Sequence, residues 1–331
     1  MPRAFRPLLR CCAVAALSLT AGTALCAAQT PTLLVVNKAE NTLAVIDAAS
    51  GAIVTRIPTG DGPHEVALWA DGRTAVVGNY GTAQLPGNSL SIIDLATGKE
   101  ARRVDLGALR RPHGLIVRGT GVYLTNEFNR TLARYDMAAN AVTWVMGTGE
   151  AGTHMVVATP DASRLFTSNI GSDSVTRFER DANDAWNVTR IPVGKGPEGI
   201  DLSPDGKEVW AAHSRDGSVS VIDAAAGKVV QVFDIGTKRS NRLRFTPDGR
   251  RVLVTDLDAG ILLVIDAASR KVVKRLEVGK GPSGILMAPD GSRAYVALTA
   301  DNALAIIDLK TLEPAGRIAT GNGPDGMAWR Q

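Results

Sequence analysis

The sequence predicts an all-β protein, folded as a single seven-bladed β-propeller with four antiparallel strands in each blade. One unit recurs seven times with a period of about 40 to 45 residues, and most copies show four short strand patterns. Glycine-rich turns separate those patterns, as expected for short antiparallel strands. The third strand pattern usually ends in Ile-Asp or a close variant, at Asp47, Asp94, Asp136, Asp223, Asp266 and Asp308. This period, with four strands per repeat, is typical of propeller blades.

The clearest unit justifies each strand in order. A glycine-rich turn and the first strand begin at Gly196-Pro197-Glu198-Gly199-Ile200, and the hairpin turn Pro204-Asp205-Gly206 follows. Pro presets φ and Gly supplies a positive φ, so this tripeptide predicts a tight turn. The second strand then covers 207–213, the third covers 218–223, and the fourth follows a further turn at Gly227. We expect the aspartate that ends the third strand to accept turn hydrogen bonds.

The first strand pattern in the chain corresponds to the second strand of the repeat unit, not to the first. Residues 33–37 read as a second strand and residues 42–47 as a third, whereas the last unit, 321–330, supplies only a first strand. The final blade is therefore predicted to combine both ends of the chain. Such pairing closes the ring and removes the exposed edges of an open array.

The first 28 residues have the pattern of a secretory signal peptide. Three arginines precede an apolar stretch, and the small residues Cys26-Ala27-Ala28 form a cleavage site. The apolar stretch is too short to predict a membrane span. We therefore expect residues 29–331 to form the propeller in the periplasm of a bacterium, as a monomer with no transmembrane segment after cleavage.

Removal of that leader changes the bulk composition. All three cysteines lie in residues 1–28, so a chain cleaved there has no thiol for a disulfide, a nucleophile or a metal site. The formal charge of +4 falls to +1, because the leader carries three arginines and no acid. That charge argues against nucleic acid as a partner, although a local arginine patch would allow it.

Several motifs resemble those of the YVTN-repeat family of β-propellers and cover essentially the whole predicted mature chain. They are Tyr123-Leu124-Thr125-Asn126, 34–37, the Gly-Pro-x-Gly-Ile turns and the Ser-Pro-Asp-Gly turn. The chain is also similar to lactonase-type seven-bladed propellers. The resemblance implies the fold, and it implies a scaffold that surface-layer, cell-envelope and redox-associated proteins share.

One position per blade is predicted to open the central channel. It lies six residues before the Pro or Ala of each hairpin turn, or in the matching Pro-x-Gly turn, and is occupied by His64, His113, His154, Glu198, Asn241, Ser283 and Asp325. Three of the four histidines of the chain therefore meet at one face. The second strand ends at the same face, so we add its last residues to the predicted ligand-binding set: Asn79, Asn126, Asn169 and His213.

Two interpretations of this polar face remain open. In the first, His64, His113 and His154 bind a transition metal (Zn, Cu or Fe) together with Glu198, because neutral imidazoles suit those ions. In the second, the position is polar only because it faces water. Arginines near the channel mouth, Arg239 and Arg242 among them, would recognise a carboxylate or phosphate.

Three functions follow from these interpretations. The first is a noncatalytic module that binds a small molecule or a cell-envelope protein. The second is an enzyme, either a metal-dependent oxidoreductase or a lactonase or lyase, that uses the histidines. The third is nucleic-acid binding. The inserted loop Gly81 to Asn88 lies at the same face as a possible rim.

Overall fold

The structure is a computed structural model that describes residues 1–2 and 31–331. The predicted signal peptide therefore lies outside the described residues, apart from its first two. The described chain forms seven four-stranded antiparallel sheets and contains no helix. Within these ranges, accordingly, no helix has the length and apolar character needed to cross a bilayer. The predicted seven-bladed all-β propeller is confirmed.

Six blades consist of four consecutive strands each, ordered from the channel outward. Blades 1 to 3 are β4 (Pro63–Leu68), β5 (Thr74–Gly81), β6 (Pro86–Asp94) and β7 (Lys99–Asp105); β8 (Pro112–Arg118), β9 (Gly121–Asn126), β10 (Thr131–Asp136) and β11 (Ala141–Gly147); β12 (Thr153–Ala158), β13 (Arg164–Asn169), β14 (Ser174–Arg180) and β15 (Trp186–Pro192). Blades 4 to 6 are β16 (Pro197–Leu202), β17 (Glu208–His213), β18 (Ser218–Asp223) and β19 (Lys228–Asp234); β20 (Ser240–Phe245), β21 (Arg251–Asp256), β22 (Ile261–Asp266) and β23 (Lys271–Glu277); β24 (Pro282–Met287), β25 (Arg293–Leu298), β26 (Ala303–Asp308) and β27 (Glu313–Ala319).

Blade 7 closes the ring with strands from both ends of the described chain. Its order is β28 (Pro324–Arg330), β1 (Thr32–Asn37), β2 (Thr42–Asp47) and β3 (Ile53–Pro58). The strands β1 and β28 are antiparallel, with Leu34 opposite Ala328 and Asn37 opposite Pro324. The predicted closure by an N-terminal second strand and a C-terminal first strand is confirmed.

The middle strands are apolar on both faces because each blade is packed between two others. In β1, Leu34 and Val36 pack against blade 1, whereas Leu33 and Val35 pack against blade 6. All four side chains are fully buried. Burial of this kind stabilises the fold by about 1.5–3 kcal/mol per large aliphatic side chain. The uninterrupted apolar run in the sequence is therefore the mark of a strand buried on both sides.

The turns opposite the channel mouth share one hydrogen-bonding pattern, in which an aspartate side chain accepts from backbone N–H groups. The side chain of Asp47 accepts hydrogen bonds from the backbone N–H groups of Ala49 and Ser50 (3.1 and 2.7 Å), and Asp308 accepts from Lys310 and Thr311 (both 2.8 Å). These donors hold the pKa of both carboxyls below the ordinary aspartate value. The predicted role of the repeated aspartate as a turn acceptor is confirmed.

Glycines in the innermost strands let neighbouring blades approach closely around the channel. A Cβ added to Gly199 in β16 would lie 2.7 Å from the backbone nitrogen of Leu243 and 2.8 Å from the carbonyl carbon of Arg242, both in β20. A Cβ on Gly114 in β8 would lie 2.7 Å from the carbonyl oxygen of His154 in β12. Both contacts are with backbone, which cannot swing aside. The Pro-x-Gly turn thus carries glycine because two strands meet there.

Substitution of Gly199 by alanine is therefore expected to lower the free energy of unfolding by about 1–3 kcal/mol, because the methyl group forces β16 and β20 apart. Gly147→Ala is the matched control, since Gly147 ends an outer strand and an added Cβ there meets nothing within 4 Å. Urea unfolding of both variants measures the difference. Equal effects of the two substitutions would contradict the close-packing explanation.

Candidate functional site

The seven channel positions converge on one cavity. His64, His113, His154, Glu198, Asn241, Ser283 and Asp325 are all buried, with 2 to 7% of each residue exposed. All seven line a cavity of about 290 Å³, which we call the channel-mouth cavity. We call these seven residues the inner ring. Because each first strand begins at the same face of the ring, one residue from every blade reaches the same space.

A second set of lining residues comes from the position immediately after the second strand's predicted last residue. These side chains complete the wall of the channel-mouth cavity and form what we call the upper ring: Lys38, Tyr80, Glu127, Leu257 and Thr299. Arg239 and Arg242, from blade 5, also line it. The predicted ligand-binding set contained the preceding residue in two of these cases, Asn79 before Tyr80 and Asn126 before Glu127. The upper ring could have been found from the sequence by taking the residue immediately after this Asn, or after the equivalent residue of the other blades.

The other members of the predicted ligand-binding set lie just outside the cavity. Asn79 accepts a hydrogen bond from the N–H of Gly60 (3.1 Å) and donates to Ser89 and Ser91 (both 3.0 Å). Within the described chain, the remaining three are likewise bonded to the third strand of their own blade and do not line the cavity: Asn126, Asn169 and His213.

The three histidines form a stack along one wall. The ring centroids of His64 and His113 are 3.8 Å apart, and those of His113 and His154 are 3.7 Å apart, with tilts of 43° and 41°. Burial lowers the pKa of His64 to about 3. The positive charges of Lys38 and Arg242 also lower this pKa, whereas the carboxylate of Asp325 acts in the opposite direction. Burial also holds the pKa of His113 well below the ordinary histidine value. His64 and His113 are therefore neutral at pH 7, so their rings can offer a lone pair.

The stack is flanked by different partners at its two ends. At one end Nδ1 of His154 lies 2.5 Å from Oε1 of Glu127, whose other oxygen accepts a hydrogen bond from Tyr80. Burial and Glu127 raise the pKa of Tyr80 to about 12. At the other end Nε2 of His64 lies 2.7 Å from Nζ of Lys38. Nε2 of His64 therefore accepts a hydrogen bond from the ammonium group of Lys38, whereas Nδ1 of His154 is hydrogen-bonded to the carboxylate of Glu127.

An ion-pair network crosses the channel beside the cavity. Nη2 of Arg242, in blade 5, lies 2.7 Å from Oε1 of Glu65 in blade 1 and 3.8 Å from Oδ1 of Asp325 in blade 7. Asp325 also lies 3.4 Å from Lys38. Burial alone would lower the pKa of Arg242, but Glu65 and Asp325 outweigh it and raise that pKa. The network keeps four buried or half-buried charges compensated.

Three unsatisfied nitrogens mark the cavity as a ligand site. Among the described residues, Nδ1 of His64, Nδ1 of His113 and Nε2 of His154 are buried and have no hydrogen-bond partner. A buried polar atom without a partner is unfavourable by roughly 1–3 kcal/mol, so natural proteins rarely keep one without a use. Glu198, a predicted metal ligand, instead accepts a hydrogen bond from Asn241 (2.6 Å).

The sequence profile of the YNCE-like beta-propeller family matches residues 122–293. That is just over half of the 331 residues. The chain belongs to the YNCE-like beta-propeller family. No curated protein matches the sequence. The resemblance to repeat propellers inferred from the sequence motifs is thus confirmed at the level of family and fold.

Solved structures similar to this YNCE-like propeller share its fold at low sequence identity. The periplasmic gluconolactonase PpgL of Pseudomonas aeruginosa is 20% identical, with a TM-score of 0.74 over 91% of this chain and 99% of that chain. The hydrazine synthase of Kuenenia stuttgartiensis is 18% identical, with a TM-score of 0.74 over 84% and 92%. A functionally unknown protein of Desulfotomaculum acetoxidans is 13% identical, with a TM-score of 0.73 over 90% and 98%. At these identities the likeness shows the fold alone.

Proposed function

We propose that this propeller is an exported binding module that holds a small polar ligand in the channel-mouth cavity without converting it. The observation that carries the proposal is the contrast between the two faces. The turns opposite the mouth repeat the same aspartate hydrogen-bonding pattern, as expected of a surface with only a structural role. The inner ring instead holds histidine in blades 1 to 3 and a different polar residue in each of the other four, and it brings all seven side chains to one cavity. Such a concave set of convergent polar groups is the usual form of a binding site.

The lining favours a ligand with both hydroxyl and carboxylate groups. Lys38, Arg239 and Arg242 can donate to anionic oxygens, and Glu127, Glu198 and Asp325 can accept from hydroxyls. A volume of about 290 Å³ lies at the lower end of the range for small-molecule pockets. A sugar acid has the size and the mixture of donors and acceptors that such a cavity requires.

Export to the periplasm is part of the same proposal. It is supported by the arginines, the apolar stretch and the small residues of positions 1–28. A charge of +1 after cleavage at Ala28 favours a small molecule or a cell-envelope protein over nucleic acid.

Calorimetric titration of the mature chain with D-gluconate tests the binding function. Lys38→Met is expected to weaken binding by about tenfold or more, because a charged donor is lost. Lys280→Met, on an exposed loop at the same face, is the matched control and should bind as the parent does. Absence of binding in the parent, or equal weakening by both substitutions, would overturn the proposal for this ligand class.

A second candidate function, hydrolysis of a lactone, is favoured by one pair of residues. Glu127 holds Nδ1 of His154 and leaves Nε2 without a partner, which is how a carboxylate orients an imidazole that acts as a base. The solved structure from P. aeruginosa is that of a periplasmic gluconolactonase. Faster ring opening of glucono-1,5-lactone by the parent than by His154→Asn would support hydrolysis, and rates equal to the spontaneous rate would exclude it.

A further inference from the structure

We propose that the channel-mouth cavity binds one divalent transition-metal ion through the imidazoles of His113 and His154, with Glu127 as the carboxylate that orients His154. The inference rests on the proposed binding function and names a ligand for its cavity. It differs from the set expected from the sequence alone, in which His64, His113, His154 and Glu198 share the ion.

Proximity selects the residues. Among the described side chains, two groups of three bring their ligand atoms within 4.8 Å of one another: His113 with Glu127 and His154, and His64 with Glu65 and His113. Glu198 belongs to neither group. Because His113 is shared, the two groups compete for one ion.

Hydrogen bonding favours the group that contains Glu127. Nδ1 of His113 and Nε2 of His154 are buried without a partner among the described residues, and an ion would satisfy both lone pairs. The contact between Glu127 and Nδ1 of His154 places the proton on that nitrogen and leaves Nε2 as the donor to a metal. Histidines that bind metals commonly give their other N–H to a carboxylate in this way.

Charge disfavours the alternative group. Nε2 of His64 accepts a hydrogen bond from the ammonium of Lys38 at 2.7 Å, so the proton of the neutral ring lies on Nδ1. Nδ1 of His64 is also buried without a partner among the described residues, but as an N–H it offers no lone pair to an ion. Glu65 is paired with the guanidinium of Arg242 at 2.7 Å. A divalent cation between His64 and Glu65 would lie beside these two positive groups and be repelled by both.

The composition of the favoured group indicates the class of ion. Two imidazole ligands suit Zn²⁺, Co²⁺ or Ni²⁺ better than Ca²⁺ or Mg²⁺, which prefer oxygen ligands only. His113 and His154 both line the cavity, so the remaining coordination positions face the space where an oxygen-bearing ligand would enter. The metal would then serve as one of the contacts that hold that ligand.

The test is a titration of Zn²⁺ into tag-free mature protein that has been dialysed against a chelator, with elemental analysis of the metal retained. We expect one equivalent in the parent. His113→Asn and His154→Asn should weaken binding by about 100-fold or more, since each removes a ligand, and Glu127→Gln by about 10- to 100-fold. Asn occupies the inner-ring position of blade 5, so these variants keep a residue that the fold accepts there.

Two control variants make the assignment specific. His213→Asn removes a buried histidine outside the cavity and introduces the residue that pairs with the start of the first strand in blades 1 to 3, so this variant should bind Zn²⁺ as the parent does. His64→Asn should retain binding within a few-fold. Loss of binding in His64→Asn equal to that in His154→Asn would place the ion in the other group and overturn the proposal.

A final titration separates failure of the metal site from failure of the binding function. Absence of Zn²⁺ binding by the parent overturns the metal site whatever else the protein binds. D-gluconate is then added to the same metal-free protein. Binding of gluconate without Zn²⁺ would remove the metal and leave the binding function standing, whereas binding of neither would remove both.

Discussion

A chain that ends at Gly323 is expected to lose cooperative folding. The truncation removes β28, which is the innermost strand of blade 7 and the hydrogen-bonded partner of β1. It also removes Met327 and Trp329, which pack against the apolar cluster between blades 6 and 7, and it leaves Arg242 without Asp325. These losses together are comparable with the 5–15 kcal/mol that usually separates a folded domain from its unfolded state.

Urea unfolding followed by circular dichroism measures the effect. The matched control is a chain shortened only by Gln331, which is exposed and follows β28, and it should unfold as the parent does. A peptide of residues 324–331, added in trans, should restore part of the cooperative transition because closure is noncovalent. A sharp unfolding transition of the truncated chain at the midpoint of the parent would show that the ring does not depend on β28.

Arg242→Met is expected to lower the free energy of unfolding by about 3–5 kcal/mol. The guanidinium is 5% exposed and lies between Glu65 and Asp325, whose side chains are 10% and 6% exposed. Removal of the cation leaves two buried carboxylates with less compensation, and an uncompensated buried charge is among the most destabilising changes a single substitution can make.

A double variant separates charge from packing. Arg242→Met/Glu65→Gln removes one of the stranded carboxylates, so it should be more stable than Arg242→Met alone by at least about 1 kcal/mol. Arg239→Met is the control, because Arg239 is half-exposed and pairs only at 3.8 Å with Asp258; its effect should stay within about 0.5 kcal/mol. Equal stability of the single and double variants would mean that lost packing, not charge, causes the effect.

The repeat makes the architecture and the inner ring readable from sequence. Spacing from the hairpin turn was enough to choose His64 and His154, and the matching Pro-x-Gly turn added His113, because each first strand begins at the same point of the channel. The turn aspartates are local in sequence, and their contacts span only two or three residues. Features that depend on one strand or one turn can therefore be predicted from the sequence pattern.

The upper ring and the cross-channel contacts were not readable in the same way. Asn79 and Asn126 were chosen instead of Tyr80 and Glu127, and a shift of one residue in a strand turns the side chain to the opposite side. The pairing of Arg242 with Glu65 joins residues 177 positions apart in blades that are not neighbours. Sequence spacing within a repeat carries no information on contacts across the ring, which depend on how closely the blades approach its axis.

The residues that line the channel-mouth cavity also determine at what stage of synthesis and folding the cavity can form. Its wall takes at least one residue from each blade, and Asp325 is supplied by β28, the strand of the propeller that comes last along the chain. A nascent chain that lacks residues 324–330 therefore has no complete pocket, however many blades have already formed. The complete pocket, and with it the proposed ligand binding, arrives in a single step when the two ends of the propeller meet.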